Sequence, residues 1–146
     1  MTVSGHHDYA LRVYYEDTDA GGVVYHANYL RFAERARTEA LRDLGLPHAA
    51  MVAENRRMLM VRRVKVDYLR PARLDQTLVV ETTPRAVGGA SAALLQVVRG
   101  PDGVCAVLEV ELACVDADTA RPARLPPVWR AALSAMLAAT EAVPAG

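Results

Sequence analysis

Residues Tyr14–Glu39 read YYEDTDAGGVVYHANYLRFAERARTE, and within them the hydrophobic period changes. The first half is a β-rich segment running into acids and paired glycines, a composition suited to a strand followed by a tight turn. From about Ala27, Tyr29, Phe32, Ala33, Ala36, Ala40, Leu41 and Leu44 recur at spacings of three and four. Arg31, Glu34, Arg35, Thr38, Glu39 and Arg42 fall between them. This pattern gives one apolar face along a helix of several turns. Gly45 followed by Pro47 supplies its stop. Arg35 and Glu39, one turn apart, are expected to pair on the wet side.

Upstream, Asp8–Glu16 (DYALRVYYE) reads as a first strand. Downstream, His48–Arg57 carries a faint helical pattern, and strands follow it. In Met58–Tyr68, Val64, Val66 and Tyr68 face one way and Arg63, Lys65 and Asp67 the other, while Leu59 and Val61 keep the opposite phase. The flip predicts a bulge near Arg62. Thr77–Pro84 and Ser91–Arg99 flank a Gly88-Gly89 turn, and Gly100-Pro101-Asp102-Gly103 is a hairpin signal before Val104–Val115. Pro126–Ala142 supports a C-terminal helix. One long helix and five strands without a linker or repeat predict a single α+β domain over 1–146, with a core at about 8–118 and an antiparallel sheet curled around the helix.

Composition limits the functions. Lys plus Arg and Asp plus Glu number 17 each, so no excess positive field draws a nucleic-acid backbone. No apolar run is long enough to span a bilayer. Met1–Asp8 is polar and lacks the core of a secretory signal, so a cytoplasmic location is expected. Cys105 and Cys114, nine residues apart on one strand, are about 30 Å from each other and cannot form a disulfide. They are expected to be buried free thiols. They lack metal-ligand spacing, as do His6, His7, His26 and His48, so no metal is expected.

The chemistry concentrates around the glycine turn. A helix that starts near His26 presents unpaired N–H groups and about half a positive charge there. A carbonyl oxygen placed at that end gains an oxyanion site. Asp19, seven residues upstream across Gly21-Gly22, is placed to face the same carbonyl. A carboxylate beside a helix N-terminus suits hydrolysis of an activated acyl group. Other duties are open to these residues. Asp19 can cap the turn with its own oxygens, His26 can serve as a hydrogen-bonding residue at the helix start, and Tyr15 can belong to the core. Asp17 is read as structural.

The run Val13-Tyr14-Tyr15-Glu16-Asp17-Thr18-Asp19-Ala20-Gly21-Gly22-Val23-Val24-Tyr25-His26-Ala27 closely resembles the signature of the YbgC-like branch of the 4-hydroxybenzoyl-CoA thioesterase family. Those proteins are the bacterial Tol-Pal-associated acyl-CoA thioesterases. Glu34–Glu39, Tyr68–Asp75 and Cys114–Asp116 resemble later family features, so the likeness extends from Arg12 to about Pro126. It implies a hotdog fold: a curved five-stranded antiparallel sheet around one long central helix. It also implies a dimer, or a homotetramer built from dimers, with the active site at the dimer interface. By the resemblance, Asp19 is the catalytic carboxylate, as nucleophile or general base, and Tyr15 and His26 flank it. The amide at or next to His26 polarises the carbonyl.

The implied activity is hydrolysis of acyl-CoA thioesters to acid and CoA without a cofactor. CoA carries phosphates, for which Arg62, Arg63, Lys65, Arg70 and Arg73 are candidate partners. Gly88-Gly89-Ala90-Ser91 falls where the family carries a small-residue turn, and it lines the pantetheine path or is a plain hairpin. Glu34 is read as solvated or as an interface ion pair. Two other functions fit the same scaffold. One is a hydrolase for aromatic acyl-CoA or acyl carrier protein thioesters. The other is a non-catalytic acyl-CoA binder or a scaffold bridging proteins of the envelope complex, with Tol-Pal components as partners, whose mark would be loss of the acid or the glycine turn.

Overall fold

The computed structural model describes residues 4–141. Ala142, the expected end of the C-terminal helix, lies outside them. Strand β1 (His7–Arg12) precedes a 3₁₀ turn at Tyr15–Asp17, helix α1 (Asn28–Asp43) and the short helix α2 (His48–Ala50), which widens into a π turn at Met51–Asn55. Strands β2 (Arg57–Tyr68), β3 (Thr77–Val87), β4 (Ser91–Gly100) and β5 (Gly103–Asp116) follow, then helix α3 (Pro127–Glu141). The sheet is antiparallel in the order β1-β3-β4-β5-β2, leaving β1 and β2 at its edges.

α1 lies across β1, β3 and β4, and α3 packs on β3. On α1 the buried face is Tyr29, Phe32, Ala33, Ala36 and Ala40, the spacing read from the sequence. Its alanines allow close approach to Leu78, Val80, Val98, Leu108 and Val110 on the sheet. Burial of a side chain such as Phe32 contributes about 1.5–3 kcal/mol. Gly45, at φ +78°, closes the helix: its N–H reaches the Arg42 carbonyl at 2.9 Å and that of Leu46 reaches Leu41 at 3.0 Å. Those bonds satisfy carbonyls that a helix end otherwise leaves open. A second cluster of Met51, Cys114, Leu125 and Trp129 anchors α3.

A buried polar link also joins α1 to the sheet. Gln96, fully buried on β4, donates from Nε2 to the Ala33 carbonyl and to Thr82 Oγ1, each at 2.9 Å. Its Oε1 accepts from Arg37 Nη1 at 2.9 Å.

Several sequence expectations need correction. The first strand ends at Arg12, not Glu16, because the Asp17 carboxylate accepts the Tyr14 N–H at 2.8 Å and folds the chain into its 3₁₀ turn. Tyr15 is therefore on that turn and 82% exposed, not a core strand residue. β3 continues past Pro84 to Val87. Its pairing with β1 stops at Thr82, and a register shift at Pro84/Ala86 absorbs the missing N–H on the β4 side. Glu39 pairs with Arg42, not Arg35. The bulge expected near Arg62 falls between Val61 and Arg63. Both cysteines are buried and free. Among the described residues, no helix is long and apolar enough to cross a membrane.

Candidate active site

Asp17 organises the loop between the 3₁₀ turn and α1. Its Oδ2 accepts the Tyr14 N–H, and its Oδ1 accepts Asn28 Nδ2 at 3.3 Å. Its carbonyl accepts Asn28 Nδ2 at 3.2 Å and the Tyr25 N–H at 2.9 Å. The acid is only 8% exposed, and the two bonds from Asn28 tie the turn to the first residue of α1. Beyond it Thr18 and Val24 form a β-bridge, and the chain reverses through Asp19–Val23. Gly22, at φ +77°, takes the left-handed conformation that the reversal requires.

Asp19 sits on this small loop. Its Oδ1 accepts the Gly21 N–H at 2.8 Å, its carbonyl accepts that of Gly22 at 3.1 Å, and its own N–H donates to Val23 at 2.9 Å. The side chain is exposed, and its Oδ2 takes no hydrogen bond from any described residue. Asp19 thus makes the turn-capping contact and still presents a free carboxylate oxygen.

His26 is exposed just before α1, with its ring 4.6 Å from Tyr25 and 6.3 Å edge-on from Tyr68. Its carbonyl accepts the Tyr68 hydroxyl at 2.9 Å, holding the end of β2 against the helix start. The Tyr29 hydroxyl accepts the Ala72 N–H at 3.1 Å, and burial pushes its pKa up. α1 has no side-chain N-cap and no acid in its first turn. Among the described residues, nothing accepts a hydrogen bond from the N–H groups of His26 and Ala27. A cleft of about 300 Å³ opens beside them, lined by Val24, His26, Tyr29, Tyr68, Leu69 and Arg70 among others. His26 borders this cleft, whereas Asp19 and Tyr15 lie outside its lining.

The basic residues divide by cross-strand register. Arg63 faces Glu111 and Lys65 faces Glu109 across the β2–β5 ladder, with ion-pair distances of 3.6 and 3.8 Å. Arg62 also reaches Glu111, at 3.5 Å. Arg70 lines the His26 cleft, and Arg73 is exposed after it. Sequence reasoning missed Arg124 and Arg130. They border an open cleft of about 440 Å³ between Gly89 and the start of α3, and neither lies within ion-pair distance of a carboxylate among the described residues. Their only signal in the sequence is their position on either side of Pro126-Pro127.

Comparison with known proteins decides the family. The profile described as the thioesterase-like superfamily matches residues 13–133. This chain belongs to that superfamily. The thioesterase-like chain is 42% identical over 124 residues to the acyl-CoA thioesterase YbgC of Haemophilus influenzae, covering 85% of this chain and 91% of that one. It is 45% identical over 117 residues to the acyl-CoA thioester hydrolase YbgC of Escherichia coli O6:H1, covering 80% and 87%. Among solved structures, a probable thioesterase from Bartonella henselae superposes with a TM-score of 0.79 at 35% identity, over 83% of this chain and 99% of that one. The five-stranded sheet around α1 is the hotdog fold of these thioesterases.

Proposed function

We propose that this chain hydrolyses acyl-CoA thioesters, with the carbonyl oxygen held by the amides at His26–Ala27 and Asp19 supplying the carboxylate. The observation that carries the reading is the pair of unclaimed N–H groups at the uncapped start of α1, beside an open cleft. Donors fixed in that way stabilise charge as it develops on the carbonyl oxygen. Asp19 acts as nucleophile or as general base toward water. As base, Asp19 takes a proton from a water whose oxygen bonds to the carbonyl carbon while the C–S bond breaks, and the leaving CoA thiolate receives that proton. As nucleophile, Asp19 forms an acyl–aspartyl anhydride as the C–S bond breaks, and water then opens the anhydride to the free acid, its proton going to the thiolate. His26 orients the acyl group, and Tyr15 borders the same site from its turn. The chemistry needs no metal or redox cofactor.

Asp19 lies outside the cleft of a single protomer, so the reading includes a second copy. The outer edge of β2 is unpaired along twelve residues and carries exposed Met60, Val61 and Tyr68, with Leu69 just beyond. An open edge of this kind is closed by strand pairing with another copy. The fuller form of the proposal is a cytoplasmic homodimer, or a homotetramer as a dimer of dimers, working beside the Tol-Pal machinery or on acyl carrier protein thioesters. The CoA phosphates are assigned to Arg124 and Arg130 of the second copy, with Arg70 of the first beside the cleft, because Arg62, Arg63 and Lys65 already face acids.

The test is a panel of short-chain, long-chain and aromatic acyl-CoAs on the wild type and on Asp19→Asn. The asparagine Oδ1 still accepts the Gly21 N–H, so the loop is retained. Turnover is expected to fall by about 10²–10⁴-fold. An unchanged rate removes Asp19 from the mechanism, and an inert wild type favours a non-catalytic binder. Solution mass showing only monomer would contradict the assembly.

A further inference from the structure

Among the described residues, Arg37 forms no ion pair. Its side chain runs beneath α1, where one Nη1–H bond to buried Gln96 fixes the guanidinium. Among the described residues, no carboxylate comes within 4 Å of it, and no other acceptor takes its remaining N–H groups. Those groups are not sealed orphans, since the one buried unpartnered side-chain atom among the described residues is His7 Nδ1. They open onto a groove of about 240 Å³ walled by Leu41, Leu59, Val61 and Leu112. Burial pulls the Arg37 pKa below the ordinary guanidinium range, opposed by Glu34 at the groove rim, yet the group stays charged at neutral pH. His48 adds a second donor. Its Nε2 accepts the Leu59 N–H at 3.0 Å, which leaves the proton of the neutral ring on Nδ1.

The groove sets four aliphatic side chains beside the Arg37 guanidinium, His48 and Thr38, with Glu34 also in its lining but not within 4 Å of the guanidinium, a setting for a chain that is apolar along its length and anionic at its tip. An arriving carboxylate with forked geometry accepts from the free guanidinium N–H groups in charge-assisted bonds stronger than the neutral ones they replace. The groove and the His26 cleft sit at opposite ends of β2. Val61 and Tyr68, which line them, are seven residues and so about 23 Å apart. A six-carbon acyl group spans at most about 9 Å, so the cleft and groove of one copy cannot share it. If two β2 edges pair antiparallel about a two-fold at Val64, Tyr68 of one copy lies opposite Met60 of the other, next to Val61. The cleft of one protomer then adjoins the groove of its neighbour.

We propose that the groove at Arg37 receives the far end of the acyl group bound at the neighbouring copy's His26 cleft, and that the guanidinium selects chains ending in a carboxylate. The proposal rests on the thioesterase reading above and names the substrate class, α,ω-dicarboxylyl thioesters of intermediate length.

Adipyl-CoA and hexanoyl-CoA share a carbon count and differ at the distal group, so the ratio of their kcat/KM values isolates that end. Wild type is expected to favour adipyl-CoA by about ten- to hundredfold, the range of one charge-assisted contact. Arg37→Met should remove the preference, and Arg37→Lys should retain part of it. Thr38→Glu sets a competing carboxylate in the groove lining, on α1 and away from the β2 edge, so it should lower the ratio even if Arg37→Met melts early. Hexanoyl-CoA turnover with no adipyl preference, or a preference that survives both Arg37→Met and Thr38→Glu, overturns this proposal and leaves the hydrolase reading standing. No turnover of either ester sinks both.

Discussion

The two acids of Asp17-Thr18-Asp19 should respond oppositely to one isosteric change, acid to amide. At Asp17 both carboxylate oxygens accept, one from the Tyr14 N–H at 2.8 Å and the other from Asn28 Nδ2 at 3.3 Å. An asparagine must turn its NH₂ toward one of these donors, losing that bond and setting donor against donor in a site only 8% exposed. A hydrogen bond to a charged group is worth about 1.5–3 kcal/mol, and an unsatisfied buried donor costs about 1–3 kcal/mol, so Asp17→Asn should destabilise by about 2–4 kcal/mol. For a chain of this length each kcal/mol moves Tm by about 2–4 °C, giving a drop of roughly 5–15 °C. At Asp19 only Oδ1 is engaged, by Gly21, and the amide oxygen replaces it without conflict. Asp19→Asn is exposed and should stay within about 0.5 kcal/mol of wild type. Thermal and urea unfolding of both variants measures the contrast, with thioester turnover recorded well below each midpoint. A stable Asp17→Asn, or an Asp19→Asn that melts early, would refute the division into a structural acid and an exposed, unencumbered one.

Other expectations are simpler to state. Arg124→Ala with Arg130→Ala should raise KM for acyl-CoA with little effect on kcat, and the increase should shrink at high salt as phosphate attraction is screened; equal KM values would return the phosphates to other residues. Burial raises the thiol pKa of Cys105 and of Cys114, so both should resist a thiol-labelling reagent at pH 8 in the native state and react together on unfolding. The Asp116 carboxylate is held below its ordinary value by the backbone N–H groups of Thr119 and Asp118, with Arg57 adding to them. Its contribution is present above the unfolded pKa and is lost as pH falls through the lower folded one, so Asp116→Asn should flatten the acid limb of a stability–pH curve. Phe32→Ala should cost about 3–5 kcal/mol in urea titration, as expected for a buried core aromatic.

The fold was legible where its cause is local. The face of α1 follows from apolar spacing, its end from Gly45, and the β2 bulge from a phase flip whose two sides are adjacent in sequence. The errors came where a distant or side-chain group outbid the local pattern. Alternation continues past Arg12, but the Asp17 carboxylate offers the Tyr14 backbone another acceptor and ends the strand. Pro84 reads as a strand end, yet β1 has already stopped beside it, so the missing N–H costs no ladder bond there and β3 runs on. Arg35 and Glu39 have good pairing geometry, but Arg42 near the helix C-terminus holds the acid in a place that also suits a cation.

The site divides along the same line. The glycine turn and the helix start are close in sequence, so both could be read from order and period alone, but a single protomer leaves Asp19 outside the cleft beside that start. The cations could not, because the availability of an arginine depends on what the fold places opposite it. Arg62, Arg63 and Lys65 form the densest basic cluster in the chain, and the β2–β5 register sets Glu109 and Glu111 across from it. Each exposed pair contributes little to stability, about 0–1 kcal/mol, but together they cancel the field that would attract a phosphate. Arg37, Arg124 and Arg130 look ordinary in sequence, yet among the described residues no carboxylate lies within ion-pair distance of any of them. The first faces an apolar groove, and the other two border an open cleft at the start of α3. Anion recognition is thus better sought in cations the tertiary structure leaves unpaired than in those the sequence clusters.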